Sequence, residues 1–360
     1  MSDATLQADR ARPPVSPFVE RLKERLFPTP LSGLLSALGI AAALWIAFVL
    51  IRWAFLDATF TGTPEDCQQT TGACWAVISA RWRLMFFGLY PYELHWRSGI
   101  AGLILIAVIV ASCVPVFWSA TRLALLWVVS FALFWIIMHG GVFGLETVTE
   151  EKWGGLTLSI FIFCGTALVG MPLAIVLALL RRSRYPLVAK VAAVLIDTVR
   201  SLPLVTILFT VSILLPILMP DMPLSKISRV ILGMALFFAA YQAEIIRSGI
   251  QSLPVGQEEA AKALGLGYWH RMTRVVLPQA FRRALPPTIS QFAISFKEVA
   301  LVIIIGVFDF LASGNAAYGS GEWAFTYVEV YVFLAFVYFL FVFSLSRYGA
   351  YLERRMRVGK

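Results

Sequence analysis

Eight stretches of this chain are apolar for long enough to cross the hydrocarbon layer of a membrane as helices, which takes about 20 residues each. They run over 34–55, 99–118, 123–139, 156–180, 187–217, 230–246, 289–311 and 328–347. Lipid offers the backbone no hydrogen-bond partner, so such a chain must fold as a helix bundle or a closed barrel. The alternation of apolar and polar residues that barrel strands require is absent. The fold class is therefore all-α, a polytopic membrane protein with about eight transmembrane helices. Composition agrees: 59% of the 360 residues are hydrophobic, 14% are charged and the mean hydropathy is +0.79, where soluble domains are about a quarter charged. The stretches 187–217 and 289–311 are interrupted by charges and helix-weakening residues.

Lys and Arg set the orientation, because loops rich in them stay on the cytoplasmic side. With both termini cytoplasmic, 21 of the 30 basic residues face inward, Arg181, Arg182 and Arg184 among them; seven face outward, and Arg200 and Lys297 fall at membrane depth. This retention accounts for the net charge of +9 without a nucleic-acid partner. Residues 1–33 are expected to form a flexible, basic cytoplasmic arm rather than a cleavable signal, since mostly polar sequence precedes the first apolar run. Three spans and an outward loop fill 34–150. The polar connection "GVFGLETVTEEKWGG" then leads to five spans over 151–360.

Cys113 and Cys164 lie inside spans as packing residues. Cys67 and Cys74, in "DCQQTTGACW", lie in the first outward loop, where an oxidising compartment permits a disulfide; two free thiols are the alternative. Closing so short a loop contributes about 2–3 kcal/mol on the chain-entropy model and fixes a local turn. The following "ISARWRLMFFGLYPYELHWR" mixes Trp, Tyr, Phe and Arg, the composition of a segment lying in the membrane interface. His95, His139 and His270 are too scattered to build a metal site. No Gly-x-Ser-x-Gly nucleophile motif and no Gly-x-x-x-x-Gly-Lys-[Ser/Thr] phosphate loop occurs. A membrane enzyme is therefore not expected: no catalytic residues are assigned, and any nucleotide site must come from another chain.

Ionisable groups inside a bilayer are costly, and each is a candidate for function unless paired. Asp197 and Arg200 share a helix face at a spacing of three, where they could pair. Pro203 follows them and suits a bent or broken span lining a cavity. Lys297 and Glu298, Asp309, and the polar face of Gln242, Glu244 and Arg247 complete the set. These residues either line a polar pathway or hold helices together as internal pairs.

The longest inward loop, 250–287, is too patterned for a linker. Pro254 can open a helix, and the left-handed backbone available to Gly265 and Gly267 can end it. A second short helix over 268–276 is expected to stop at Pro278. Ala260, Ala261, Ala263 and Leu264 form a thin surface, and Glu258, Glu259 and Lys262 a charged one. So short a helix is not stable alone and needs something to dock against.

Within this loop Glu259, Ala260, Ala261, Gly265, Val275, Leu277 and Pro278 match the Glu-Ala-Ala loop of bacterial ATP-binding-cassette (ABC) importer permeases. "AEIIRSGIQSLPVGQEEAAKALGLG", "WGGLTLSIFIF" and "DTVRSLPLVTILF" further resemble the polar amino acid subfamily. The resemblance covers about 153–354, and the three-span extension is similar to the second, longer permease of general L-amino acid uptake systems. It implies a five-helix permease core in a bacterial inner membrane. It also implies a homologous second permease, two cytoplasmic ATPase subunits that bind the ATP and magnesium, a periplasmic amino-acid-binding protein and an amino acid substrate. Glu259, Ala260, Ala261, Gly265, Leu277 and Pro278 would carry the coupling to the ATPase. Where the family commonly has Lys-Asp-Thr-Ser-Leu, this chain has Lys297, Glu298, Val299, Ala300 and Leu301, so a role for that stretch does not transfer intact. The rival reading, an ion-coupled secondary transporter or channel acting without an ATPase, predicts two matched half-repeats. The three-plus-five arrangement does not supply them.

Overall fold

Because the apolar stretches must pair their own backbone groups, they form helices throughout. The computed structural model describes residues 26, 28–319 and 321–357. The expected N-terminal arm lies almost wholly outside these residues. Among them the only strand-like pairings are two isolated bridges. Seven unbroken helices are long and apolar enough to span a membrane, and one sharply bent pair brings the number to eight.

The chain divides into two compact units, 1–76 and 77–360. In the first, α1 (Pro30–Ile51) begins with a reciprocal cap between Thr29 and Ser32 and ends in a π-turn, Arg52–Leu56. None of the α1 residues is buried, as suits a helix with lipid around it. Beyond it, α2 (Pro64–Gln68) carries Cys67, which is bonded to Cys74 with Cα atoms 5.5 Å apart. The bonded loop folds back on the end of the first span: the Trp75 indole N–H donates to the Ala54 carbonyl at 2.7 Å, and the Ala73 N–H to the Trp53 carbonyl at 2.8 Å.

The second unit starts with α3 (Ala76–Phe87) and the spans α4 (His95–Ser112) and α5 (Ala120–His139). The contacts therefore divide at Ala76 rather than near residue 150, and a physical tie explains it. Arg97, 1% exposed, donates to the carbonyls of Ile137 (2.8 Å), Glu146 (2.8 Å) and Met138 (3.4 Å), capping α5 with a cation. Gly140 turns with φ +73° at this point, and a Cβ there would meet Glu146 O and the Arg97 guanidinium. Trp153 then packs edge-on against Phe134 and Phe161, which stack at 4.2 Å, so α5 is bound to the next span.

That next span, α6 (Gly155–Arg181), is the centre of the bundle and packs along α10 (Lys226–Gln251). Small residues permit the approach: a Cβ on Gly170 would lie 2.7 Å from Phe238, and one on Gly165 2.9 Å from Ile231. Between them, α7 (Pro186–Ser201) and the path α8 (Leu204–Phe209), π-turn Thr210–Leu214, α9 (Leu215–Leu218) meet at 106°. The bend falls at Leu202–Pro203, where Leu202 is held extended by the following proline.

The short α11 (Gly256–Ala263) leads through α12 (Tyr268–Arg271) and a π-turn, Met272–Val276, into α13 (Leu277–Glu298), which tightens to a 3-10 helix over Val299–Ile305. Pro278 therefore does not stop the second inward helix, as the sequence suggests it should. The π-turn widens the helix immediately before it, where the ring would otherwise strike the preceding turn. Pro286 and Pro287 also lie within α13, so the span expected to open near residue 289 opens twelve residues earlier, at Leu277. After a left-handed Gly306, α14 (Phe310–Gly319) and α15 (Tyr327–Arg357) complete the chain.

Candidate functional site

The end of the bundle that holds Arg181 and α11 is called the inner end here, after the distribution of basic residues. Two features stand there: the face of α11 and an ion-pair network beneath it.

α11 ends in a full left-handed cap. Gly265 has φ +75°, its N–H donates to Lys262 O at 3.0 Å, and the Leu266 N–H donates to Ala261 O at 3.2 Å. Gly267 does not share this conformation; it is extended and opens α12. The helix turns Ala261 inward, where it is buried with Met272 and Val276 of the π-turn. Leu277 is buried as well, and Pro278 is exposed. The opposite face of α11 carries Gly256, Glu259, Ala260 and Ala263, all exposed, and is flanked by Val255 (74% exposed) and Leu264 (81%). Thus Ala260 is exposed while Ala261, adjacent in sequence, is buried. The result is a small-residue strip rimmed by two bare aliphatic side chains, left uncovered by the described residues.

Asp197 and Arg200 do not pair. The Asp197 carboxylate instead takes both arms of Arg181 (2.9 and 3.2 Å), the fork geometry that makes such pairs strong. Arg181 also reaches Glu244 at 3.1 Å, and Glu244 takes Arg247 at 2.7 Å. Arg200 lies with its guanidinium 5.2 Å from the Tyr241 ring, which draws it away from its own-helix neighbour. Since Arg181 is the last residue of α6, Asp197 and Glu244 sit at the inner end rather than at mid-membrane. Arg200, Tyr241, Glu244 and Ser248 together with Arg283 and Pro287 line an open cleft of about 370 Å³ between α10 and α13.

Lys297 and Glu298 are deeper. Phe296 beside them packs on Tyr338 and Phe341 of α15 (5.4 and 4.9 Å). Tyr338 lies roughly 16 Å along α15 from its start at 1.5 Å per residue, which is mid-span. Lys297 is exposed on the bundle surface, and among the described residues neither it nor Glu298 makes an ion pair. Gln242, fully buried, donates to the Thr288 hydroxyl at 2.8 Å and links α10 to α13. Asp309 lies beyond the seventh span, not within it. Its carboxylate caps α14, accepting from the N–H groups of Ala312 (2.9 Å) and Leu311 (3.2 Å). Burial pushes this carboxyl up to about 7 despite those bonds.

Sequence reading missed Arg283, Thr288 and Tyr241, and saw Arg181 and Arg182 only as topology signals. Their partners lie tens of residues away, Glu258 being 76 positions from Arg182, and no local spacing reports such a pairing.

The bundle thus presents a bent span, charged residues at mid-span and, at its inner end, a small-residue helix face that the described residues leave uncovered. Residues 170–358 match the family described as binding-protein-dependent transport system inner membrane component. The chain is similar to the inner membrane amino-acid ABC transporter permease YhdY of Escherichia coli K12, 39% identical over 347 residues, 94% of this chain and 93% of the relative. It is also similar to the glutamate/glutamine/aspartate/asparagine transport system permease BztC of Rhodobacter capsulatus, 32% identical over 412 residues and 94% of each chain. A crystal structure of an amino acid ABC transporter with histidines superposes with a TM-score of 0.50 at 29% identity, covering 56% of this chain and 92% of that one. The chain belongs to the family of binding-protein-dependent transport system inner membrane components. It is a multi-pass inner membrane permease subunit of an ABC importer, a class that forms the translocation pathway and draws its energy from a separate ATPase.

Proposed function

We propose that this permease carries amino acids inward, with both termini cytoplasmic and with the five-span portion 151–360 as its core, to which the spans of 34–150 are added. It works with a homologous second permease, two ATPase subunits that bind the ATP and magnesium, and a periplasmic amino-acid-binding protein. The observation that carries this reading is the exposed Glu259, Ala260, Ala263 and Leu264 face of α11, held in place by the Gly265 cap and awaiting a partner at the inner end. Supporting it, YhdY and BztC, which match almost the whole chain, are both named as amino acid permeases. Lys297 and Glu298 offer a cation and a carboxylate at mid-span, suited to a zwitterion. The inner cleft with Arg200 and Glu244 lies on the exit side, and Gln242 fixes its two walls. Asp309 supports the pathway from outside it, as a helix cap.

The test is to tag the C-terminus, solubilise native membranes gently, and identify what co-purifies with wild type and with Gly265→Asp. An ATPase and a second permease with wild type, and loss of the ATPase from the variant, are expected. A protein that purifies alone in both cases overturns the reading.

A further inference from the structure

The C-terminus of α6 ends in two adjacent arginines that reach in different directions. Arg181 takes Asp197 of α7 and Glu244 of α10, as above. Arg182 takes Glu258 of α11, Nη2 to Oε2, at 3.4 Å. Cations are favoured at this end of a helix, where the free carbonyls are. α11 is therefore attached to its own chain on two sides, and on the α13 side the Gln257 side-chain carbonyl also accepts from Gln279 Nε2 at 3.5 Å. One attachment is apolar, through Ala261 to the π-turn that starts α13. The other is ionic, through Glu258 to the end of α6, the helix around which the bundle is packed. Glu258 and the outward Glu259, neighbours in sequence, are thereby divided between the permease and whatever docks.

We infer that Arg182 and Glu258 are positioning residues for transport, the ionic half of the linkage by which movement of the docked α11 reaches α6. Arg181 then shares that movement between α7 and α10 through Asp197 and Glu244. The inference rests on the importer reading above. The pair is 30% and 40% exposed, and ion pairs this accessible add little to stability, so the fold does not need it. What it fixes is where α11 stands relative to α6. A pull on α11 without it would be borne by Ala261 and the Gln257–Gln279 hydrogen bond alone, and would move α13 without α6.

The experiment uses the complete importer in proteoliposomes with its binding protein, comparing wild type, Arg182→Glu, Glu258→Arg, the Arg182→Glu/Glu258→Arg exchange and Arg182→Lys. Solute uptake and ATP hydrolysis are measured together. Each single reversal is expected to retain the ATPase and its basal hydrolysis, and to lower binding-protein-stimulated uptake about fivefold, a coupling typical of touching charges. More ATP is then spent per solute carried. The exchange and Arg182→Lys should return uptake to within about twofold of wild type, as restoring opposite charge does in a coupled pair. Wild-type uptake in both single reversals overturns the inference. So does an exchange that fails to recover while Arg182→Lys works, since the residues then act separately. Loss of the ATPase from either single variant also overturns it, because the residues would then serve docking rather than transmission. Absence of an ATPase from the wild-type preparation is a different result and overturns the importer reading itself.

Discussion

Gly265→Ala isolates the backbone requirement of the docking helix. Gly265 sits at φ +75°, and a Cβ added there would meet nothing within 4 Å. The substitution therefore has no steric cost inside this chain, only the left-handed strain of an L-residue, about 1–2 kcal/mol. That corresponds to about a fivefold to thirtyfold fall in the population of the capped conformation. α11 has eight residues, too few to hold a helix unaided, so losing the cap frees the whole face that carries Glu259 and Ala260. Asn tolerates the left-handed region, so Gly265→Asn should lose less. The assay is the amount of ATPase retained per tagged permease, with total permease in the membrane measured alongside. Retention should fall in the order wild type, Asn, Ala, at constant permease. Ala retaining as much ATPase as wild type refutes the reasoning. Asn as damaging as Ala would refute the part that rests on the dihedral, since the side chain itself would then be what docking rejects.

Arg97→Met leaves the carbonyls of Ile137 and Glu146 without their donor, while Met138 O keeps the Tyr90 hydroxyl at 2.7 Å, and should cost about 1–3 kcal/mol, read as a lower unfolding temperature in detergent; an unchanged midpoint would dismiss the capping role. A double-mutant cycle should find coupling of about 1 kcal/mol between Asp197 and Arg181 and a smaller one between Asp197 and Arg200, which acts on the carboxylate only through its charge; a larger coupling to Arg200 would contradict the observed pairing. The Asp309 carboxyl titrates near 7 in the folded chain rather than at its ordinary 3.8, so the folded state holds its proton more firmly between those values and this group favours folding less as pH rises through them. Asn can serve as the same cap without titrating, so Asp309→Asn should gain on wild type from acid to neutral pH in thermal unfolding; a pH-independent difference would exclude this titration.

Span count, helical class and the short capped helix α11 were legible because each depends on a local pattern. Apolar length decides a span, and Gly265 at its fixed distance from Glu259 marks a cap. Residue-level polarity was legible too: Asp197, Gln242, Glu244, Lys297, Glu298 and Asp309 each stand where a charge or amide in an apolar run announced something. Their partners were not. Spacing along one helix offered Arg200 to Asp197, but the bend at Pro203 and the arrival of α6 supplied Arg181, a better fork, and left Arg200 to an aromatic ring.

Prolines misled in the same way. Pro278 should end a helix on local rules, yet a π-turn accommodates it and α13 runs on, because a broken backbone inside a bundle would leave polar groups without partners. The sequence by itself thus determined that this chain spans a membrane many times and presents a capped helix on one side, since length, apolarity and backbone preference act over a few residues. Only the tertiary structure decided which charges meet, that Ala261 is buried while Ala260 is exposed, and that Asp309 is a cap. Those outcomes depend on helices brought together from distant parts of the chain, where the geometry of approach selects one partner among several of similar chemistry.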